Sequence, residues 1–577
     1  LEASYQVDLL DITALKYADR ITASALQGLA NREAPSLYLI NGDYDDPGTR
    51  KTNVVHMTDD NWYKKYREYL KDNDAANLEY YQSAYKLKTQ ALSGLDEAVQ
   101  KYRRLLNGLV VWDPELNDSV NLALMLAAQE NLLIVAPDQV EWAKSLGLET
   151  IRHDLRGKFT NRVDLYRWAF ENLFPKCKPG QVACMEPQWK RSEFADYIVQ
   201  NKLFVYCLSS FEKGGLRTLG QNLLMLLVGG PFGLRNFLFT TRLDGPVKAL
   251  ARLLLSSGSP ETHLSHRIQR SVKALPFPTI FGWHSDRDDE LNFMLQLSMN
   301  GMRLAPTFMA GNYSFHCKLP AAGEFRQQYI HPEQVKLEDK IYLTFTLSDG
   351  DQLTLMNTGE LGNWRRPERG MTPFNWEMQP LLAEIAPALL GYYYSSLKET
   401  DLLVAGPSGA GYIIPPLSSN FSAYMAESAR LCDQVDVRVV TSYIADPPLR
   451  VVKDHGKAPG NFLGYLAGYF HLGRTPMYMT ENRPFVAYVW PKPEQIPWEC
   501  DQVFEGIRAL IDKPGPTPRF IACHLFAYCT TITDVYHFIQ TLDQNKVKVV
   551  RADEFLYASA QAMQANSSMI KKTGEVK

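Results

Sequence analysis

Between Thr279 and Val550 short apolar runs recur with helical stretches between them, and no other feature constrains the fold as much. The runs are Thr279 to Trp283, Arg303 to Met309, Ile341 to Leu347, Leu402 to Ala405, Val437 to Thr441, Phe485 to Val489, Phe520 to His524 and Val547 to Val550. Such alternation implies a parallel sheet covered by helices. Eight βα units in roughly 300 residues is the arithmetic of a TIM-type (β/α) barrel, and seven strands with an open seam give nearly the same pattern. Catalytic groups are then expected just after the strands, where the βα loops converge.

The first half alternates too. Val7 to Ile12, an amphipathic run from Tyr17 to Asn31 and Ser36 to Ile40 form one β-α-β unit. Leu109 to Trp112, Ser119 to Gln129 and Leu132 to Val135 form another. Asp59 to Arg104, rich in Tyr, Lys and Glu, reads as solvated helices, and Asn161 to Leu255 reads as helical, punctuated by Gly229-Gly230-Pro231. The linker-like Ser256-Ser-Gly-Ser-Pro260 and a basic helix precede the strand at Thr279. These signals predict an N-terminal α/β domain over 1–275, divisible at 160/161, and a C-terminal barrel over 276–577 that carries the catalytic groups.

Composition excludes several classes. A net charge of −3 over 577 residues leaves no overall field to draw nucleic acid or an anionic membrane. The longest apolar stretches are interrupted at Gln129, Glu130 and Asn131 or are too short to span a bilayer. Eight cysteines at irregular spacing, none in a C-x-x-C pair, read as buried thiols. No cofactor is implied.

The positions after the strands supply a polar set that the strands themselves lack. His284 and Asp286 follow the first, Asn312 and His316 the second, Asp349 and Asp351 the third, Ser408 and Tyr412 the fourth, and His524 closes the seventh. Asp349 and Asp351 flank Gly350, and a helix cap needs only one of them. The segment after this pair reads as a long loop bearing Trp364, Arg365 and Trp376. Flat rings stack on sugar faces while Asp, Asn and Arg bind hydroxyls, so this loop is a candidate carbohydrate contact. Its bland reading is that the tryptophans pin the loop to the barrel.

Gly406-Pro-Ser-Gly-Ala-Gly-Tyr-Ile-Ile-Pro-Pro416 follows the run Leu402 to Ala405. Gly406 and Gly411 have Walker A spacing, but Tyr412 and Ile413 stand where Lys and Ser or Thr are required, which argues against a phosphate cradle. The same residues resemble the signature of the GxGYxYP putative glycoside hydrolase family, with Ile414 in place of its second tyrosine. Asp11 to Arg20 and Leu26 to Arg32 resemble the family's N-terminal domain, and Ser348 to Asp351 and Pro373 to Trp376 its C-terminal domain.

The resemblance implies hydrolysis of a polysaccharide or oligosaccharide. That chemistry needs one protonated carboxyl and one carboxylate, about 5 Å apart for retention or roughly 6.5 to 9.5 Å for inversion. Asp349, Asp351 and Asp286 are the candidates, with Glu481 a weaker partner. His284, Asn312, His316, Trp364, Arg365, Trp376, Ser408, Tyr412 and His524 are candidate substrate contacts. A metal-dependent carbohydrate esterase or deacetylase, drawing on separate histidines and a carboxylate, is the rival enzyme reading. A carbohydrate-binding barrel without turnover is the third. The resemblance and the opening at Leu1 lead to an expectation of export to a periplasm or cell surface.

Overall fold

The computed structural model describes residues 5–42, 69–192, 194–210, 214–255, 258–273, 277–283, 290–307, 310–348, 350–442, 447–468, 477–481, 483–489, 500–528 and 530–574. Four sheets organise them.

Strands β1 (Gln6–Asp11), β2 (Leu37–Ile40) and β3 (Lys88–Ala91) form a parallel sheet in the order β2-β1-β3. Strands β4 (Leu109–Val111), β5 (Leu133–Val135) and β6 (Ile151–Asp154) form a second, ordered β5-β4-β6. Helix Tyr17–Ala30 links β1 to β2 and helix Ser119–Glu130 links β4 to β5, as the periodicity predicts.

The third sheet corrects one expectation. Its order is β10-β9-β7-β8, from β7 (Gln181–Cys184), β8 (Phe204–Tyr206), β9 (Thr279–Gly282) and β10 (Arg303–Ala305), all parallel. The two runs expected to open the barrel, at Thr279 and Arg303, therefore belong to a separate sheet. An apolar run shows that a strand is buried but not which neighbour it pairs with.

The barrel is closed and has seven parallel strands. They are β11 (Ile341–Ser348), β12 (Phe374–Met378), β13 (Asp401–Ala405), β14 (Val439–Ser442), β15 (Gly464–Ala467), β17 (Arg483–Val489) and β18 (Arg519–Phe526). β16 (Met477–Thr480) pairs antiparallel with β17. Pairing of β12 with β11 completes the circle. Two of the seven, β12 and β15, were not expected, and the supposed aromatic loop instead contains helix Gln352–Asn357 and strand β12.

The seam between β11 and β12 is split. β11 pairs with the eighth strand, β19 (Val547–Val549), through Ile341 to Leu343, and with β12 only at Thr346 and Leu347. Asn375 fills the fork. Its amide donates to Thr344 Oγ1 at 2.8 Å and to the Phe345 carbonyl at 2.7 Å, and its oxygen accepts from the Ala552 amide at 2.8 Å. One side chain thus satisfies backbone groups that the missing rungs leave open.

Alternate residues of a strand face opposite ways, which divides the barrel into two cores. Leu343, Phe345 and Leu347 pack outward into the main hydrophobic core. Tyr342, Val404, Val439, Leu466, Val486 and Phe520 pack in a second cluster that fills the interior. The C-terminal helix Ala552–Gly574 stoppers the N-terminal end of the strands, with Phe555 edge-on to Phe520 at 5.5 Å. The interior is a packed core rather than a pore.

Candidate active site

Above the apolar plug the interior turns polar, and its centre is a carboxylate the sequence reading passed over. Glu377 lies on β12, two residues beyond Asn375, so it shares the inward face. It is fully buried. The Ser348 hydroxyl donates to its Oε1 at 2.5 Å, and the Gln352 amide donates to the same oxygen. The Thr441 hydroxyl donates to Oε2 at 2.5 Å. Three donors from β11, the following helix and β14 therefore converge on one carboxylate at the C-terminal end of the strands.

The neighbouring residue Trp376 was the expected sugar platform, and the pleat sends it the other way. Its ring is buried outside the barrel wall, its Nε1 donating to Asp401 Oδ1 at 2.9 Å. Trp364 stacks edge-on against Trp376 at 5.2 Å and Tyr393 at 4.7 Å, while the Arg369 guanidinium covers it at 4.0 Å. Arg365 bonds Asn73 Oδ1 at 2.8 Å and the Tyr69 carbonyl. The two tryptophans are thus engaged in packing the outer wall of the barrel, and Arg365 ties that wall to the N-terminal half.

Asp351 stays near the centre. It precedes helix Gln352–Asn357, and its Oδ2 accepts from the Tyr528 hydroxyl at 2.9 Å. Since the next residue, Gln352, reaches Glu377, the two carboxyl groups are joined through a single link of chain. Asp349, Asp286 and His284 lie outside the described residues.

His524 joins the same layer. It pairs in register with Thr346 and meets the Tyr488 ring edge-on at 5.3 Å. Burial pushes its imidazole down to about 3, so it is neutral in the physiological range.

Glu360 is the second carboxyl that the sequence reading missed. It is fully buried, and neither oxygen has a hydrogen-bond partner among the described residues. Burial first, then the charge of Glu377, holds its carboxyl well above the usual range. The only sequence signal for Glu377 was strand alternation in Phe-Asn-Trp-Glu-Met, hidden by reading that stretch as loop. Glu360 had no signal.

Asn312 and His316 belong elsewhere. Asn312 exchanges hydrogen bonds with both backbone groups of Leu39 at 2.9 Å, extending the edge of β2. His316 is buried, 2.9 Å from the Tyr81 hydroxyl, and pushed down to about 3 by burial. Glu481 is exposed in the turn before β17, at the opposite end of the barrel from Glu377.

The glycine-rich run divides between two tasks. Gly406 lies against Glu377, where a Cβ would come 2.5 Å from Oε2 and closer still to Thr441 Oγ1. The remainder docks the barrel on the third sheet: Tyr412 and Leu304 exchange backbone hydrogen bonds at 2.7 and 2.9 Å. Gly411, at φ +107, leaves no room for a Cβ, which would sit 2.6 Å from Arg303 Cδ. Arg303 in turn donates to the Ala410 carbonyl at 2.9 Å. Ser408 bonds the Ile413 carbonyl at 2.8 Å, and Ile414 is buried where the signature has tyrosine.

Among the described residues no three His, Cys, Asp or Glu side chains converge at metal-binding spacing.

Fold and site together define a mixed α/β protein whose closed seven-stranded barrel presents acid groups at the C-terminal ends of its strands. The chain belongs to the GxGYxYP family. Residues 339–559 match the GxGYxYP putative glycoside hydrolase C-terminal domain, 106–177 the second N-terminal domain and 6–104 the first. A crystal structure described as a putative hydrolase from Bacteroides thetaiotaomicron VPI-5482 shares the fold. Its TM-score is 0.73 at 18% identity, covering 97% of this chain and 95% of that one. No curated protein matches.

Proposed function

We propose that the protein hydrolyses glycosidic bonds in a polysaccharide or oligosaccharide, with Glu377 and Asp351 as its carboxyl pair. The observation that carries this reading is the convergence of Ser348, Gln352 and Thr441 on Glu377 at the end of the barrel where such sites lie. A carboxylate accepts hydrogen bonds only, so three donors orient it and leave its charge available to a developing oxocarbenium ion. Asp351 is the less buried of the pair. Held by Tyr528, it is the group suited to exchange a proton with the leaving oxygen. Tyr528 acts on Asp351 as a positioning residue. The family description and the hydrolase description of the structural neighbour support hydrolysis; the sugar is inferred from the family alone.

The test is a glycan panel read for new reducing ends and for released acetate, with and without chelator. Wild type should release reducing ends irrespective of chelator, and Glu377→Gln and Asp351→Asn should each lose about a thousandfold in turnover. Acetate release sensitive to chelator would replace this reading with a metal-dependent esterase. Binding without either product would make the barrel a carbohydrate receptor.

A further inference from the structure

Tyr488 brings a hydroxyl into the barrel interior that the carboxylate chemistry does not use. It lies on β17, where Val486 and Tyr488 face inward while Phe485 and Val489 pack outside, as the pleat requires. Its register partner on β18 is Ala522, two residues before His524, and its ring meets that imidazole edge-on at 5.3 Å.

The side chain is buried, and among the described residues its hydroxyl has no partner in hydrogen-bonding geometry. Its polar neighbours are Thr346 on β11 and the charge of Glu377. Thr346 Oγ1 already accepts from the Asn375 amide at 3.3 Å. Burial first, then the charge of Glu377, holds the phenol well above its usual range, so Tyr488 keeps the proton it would donate. A buried donor left open weakens a fold, and phenylalanine would fill the same space without that penalty. Gln352 is open beside the same carboxylate: its amide donates to Glu377, while its own oxygen is buried without a partner among the described residues. An open donor and an open acceptor thus accompany Glu377. A sugar hydroxyl donates once and accepts twice, as water does, so a sugar ring entering the site can satisfy groups of both kinds.

We propose that Tyr488 contacts the substrate, its hydroxyl donating to a hydroxyl of the sugar ring whose bond Glu377 and Asp351 cleave. The proposal rests on the glycosidase reading above. It makes Tyr488 a group that discriminates against a sugar lacking that hydroxyl, because the donor then stays unpaired.

Tyr488→Phe tests it by removing the hydroxyl and keeping the ring. Oligosaccharides of starch, xylan, mannan and galactan serve as probes, and wild type should release reducing ends from at least one of them. On that substrate the kcat/KM of the variant should fall about tenfold or more. Its melting temperature should equal or exceed that of wild type, since no bond within the protein is lost, and the acid limb of its pH profile should not move. An unchanged kcat/KM overturns the proposal, as does a lowered melting temperature, which would make the hydroxyl structural. A displaced acid limb would make Tyr488 a partner of Glu377 instead, and an equal loss in Thr346→Val a partner of β11; either outcome also overturns it. A wild type that releases no reducing ends from any probe is a different result, in which the glycosidase reading fails and takes this proposal with it.

Discussion

Gly406 stands against the carboxylate of Glu377 with no space for a side chain between them. Gly406, which precedes the signature that begins at Gly409, is thus set by the carboxylate beside it, whereas Gly411 within the signature is set by Arg303. Gly406→Ala should push Glu377 off its donors. An overpacked core substitution costs about 1–3 kcal/mol, so a lowered melting temperature together with a fall in turnover is expected. Calorimetry and the reducing-end assay check the two effects separately.

Thr441→Val removes one of the donors on Glu377 while preserving shape. Leaving a buried charged acceptor with one fewer donor costs about 1–3 kcal/mol. Thr441→Ser should restore most of the loss, since it returns the hydroxyl. A variant series in which valine and serine behave alike would remove Thr441 from the site.

Glu360 makes stability depend on pH in an unusual direction. Folded, it keeps its proton well above the ordinary value of 4.5, while the unfolded chain gives the proton up there. Its contribution is therefore present below about 4.5 and declines as pH rises, by up to about 1.4 kcal/mol per pH unit until the folded form also ionises. Glu360→Gln should be more stable than wild type at neutral pH, with the advantage vanishing near pH 4 in urea denaturation.

The buried histidines act with the opposite sign. His316 and His524 are each pushed down from 6.5 to about 3 by burial. The unfolded chain takes up protons as pH falls through 6.5 and the native chain does not, so stability is lost from there towards pH 3. His524→Gln should show a shallower loss between pH 6 and pH 4 than wild type, measured by the same denaturation.

Trp364 offers a direct contrast between packing and sugar binding. With Trp376, Tyr393 and Arg369 on its ring, Trp364→Ala should destabilise the protein by about 3–5 kcal/mol. A variant of undiminished melting temperature that loses only glycan affinity would reassign the ring to substrate.

Much of the architecture is local chemistry and could be read directly. Apolar period and turn residues marked β11, β13, β14, β17 and β18, because a fully buried parallel strand is apolar along its whole length. The same rule concealed β12 and β15: Asn375 and Glu377 make one strand polar on its inner face, and Gly464-Tyr-Leu-Ala467 is short. Strand pairing was invisible as well, which is why β9 and β10 were expected in the barrel.

Chain order alone therefore determined the family, the alternation of strands and helices, a barrel in the second half and Asp351 near its rim. Only the tertiary structure decided that Trp376 points out while Glu377 points in, because that choice depends on which face of β12 meets β11, β14 and the fork at Asn375. Those partners lie between 25 and 177 residues away along the chain, and only closure of the barrel brings them together.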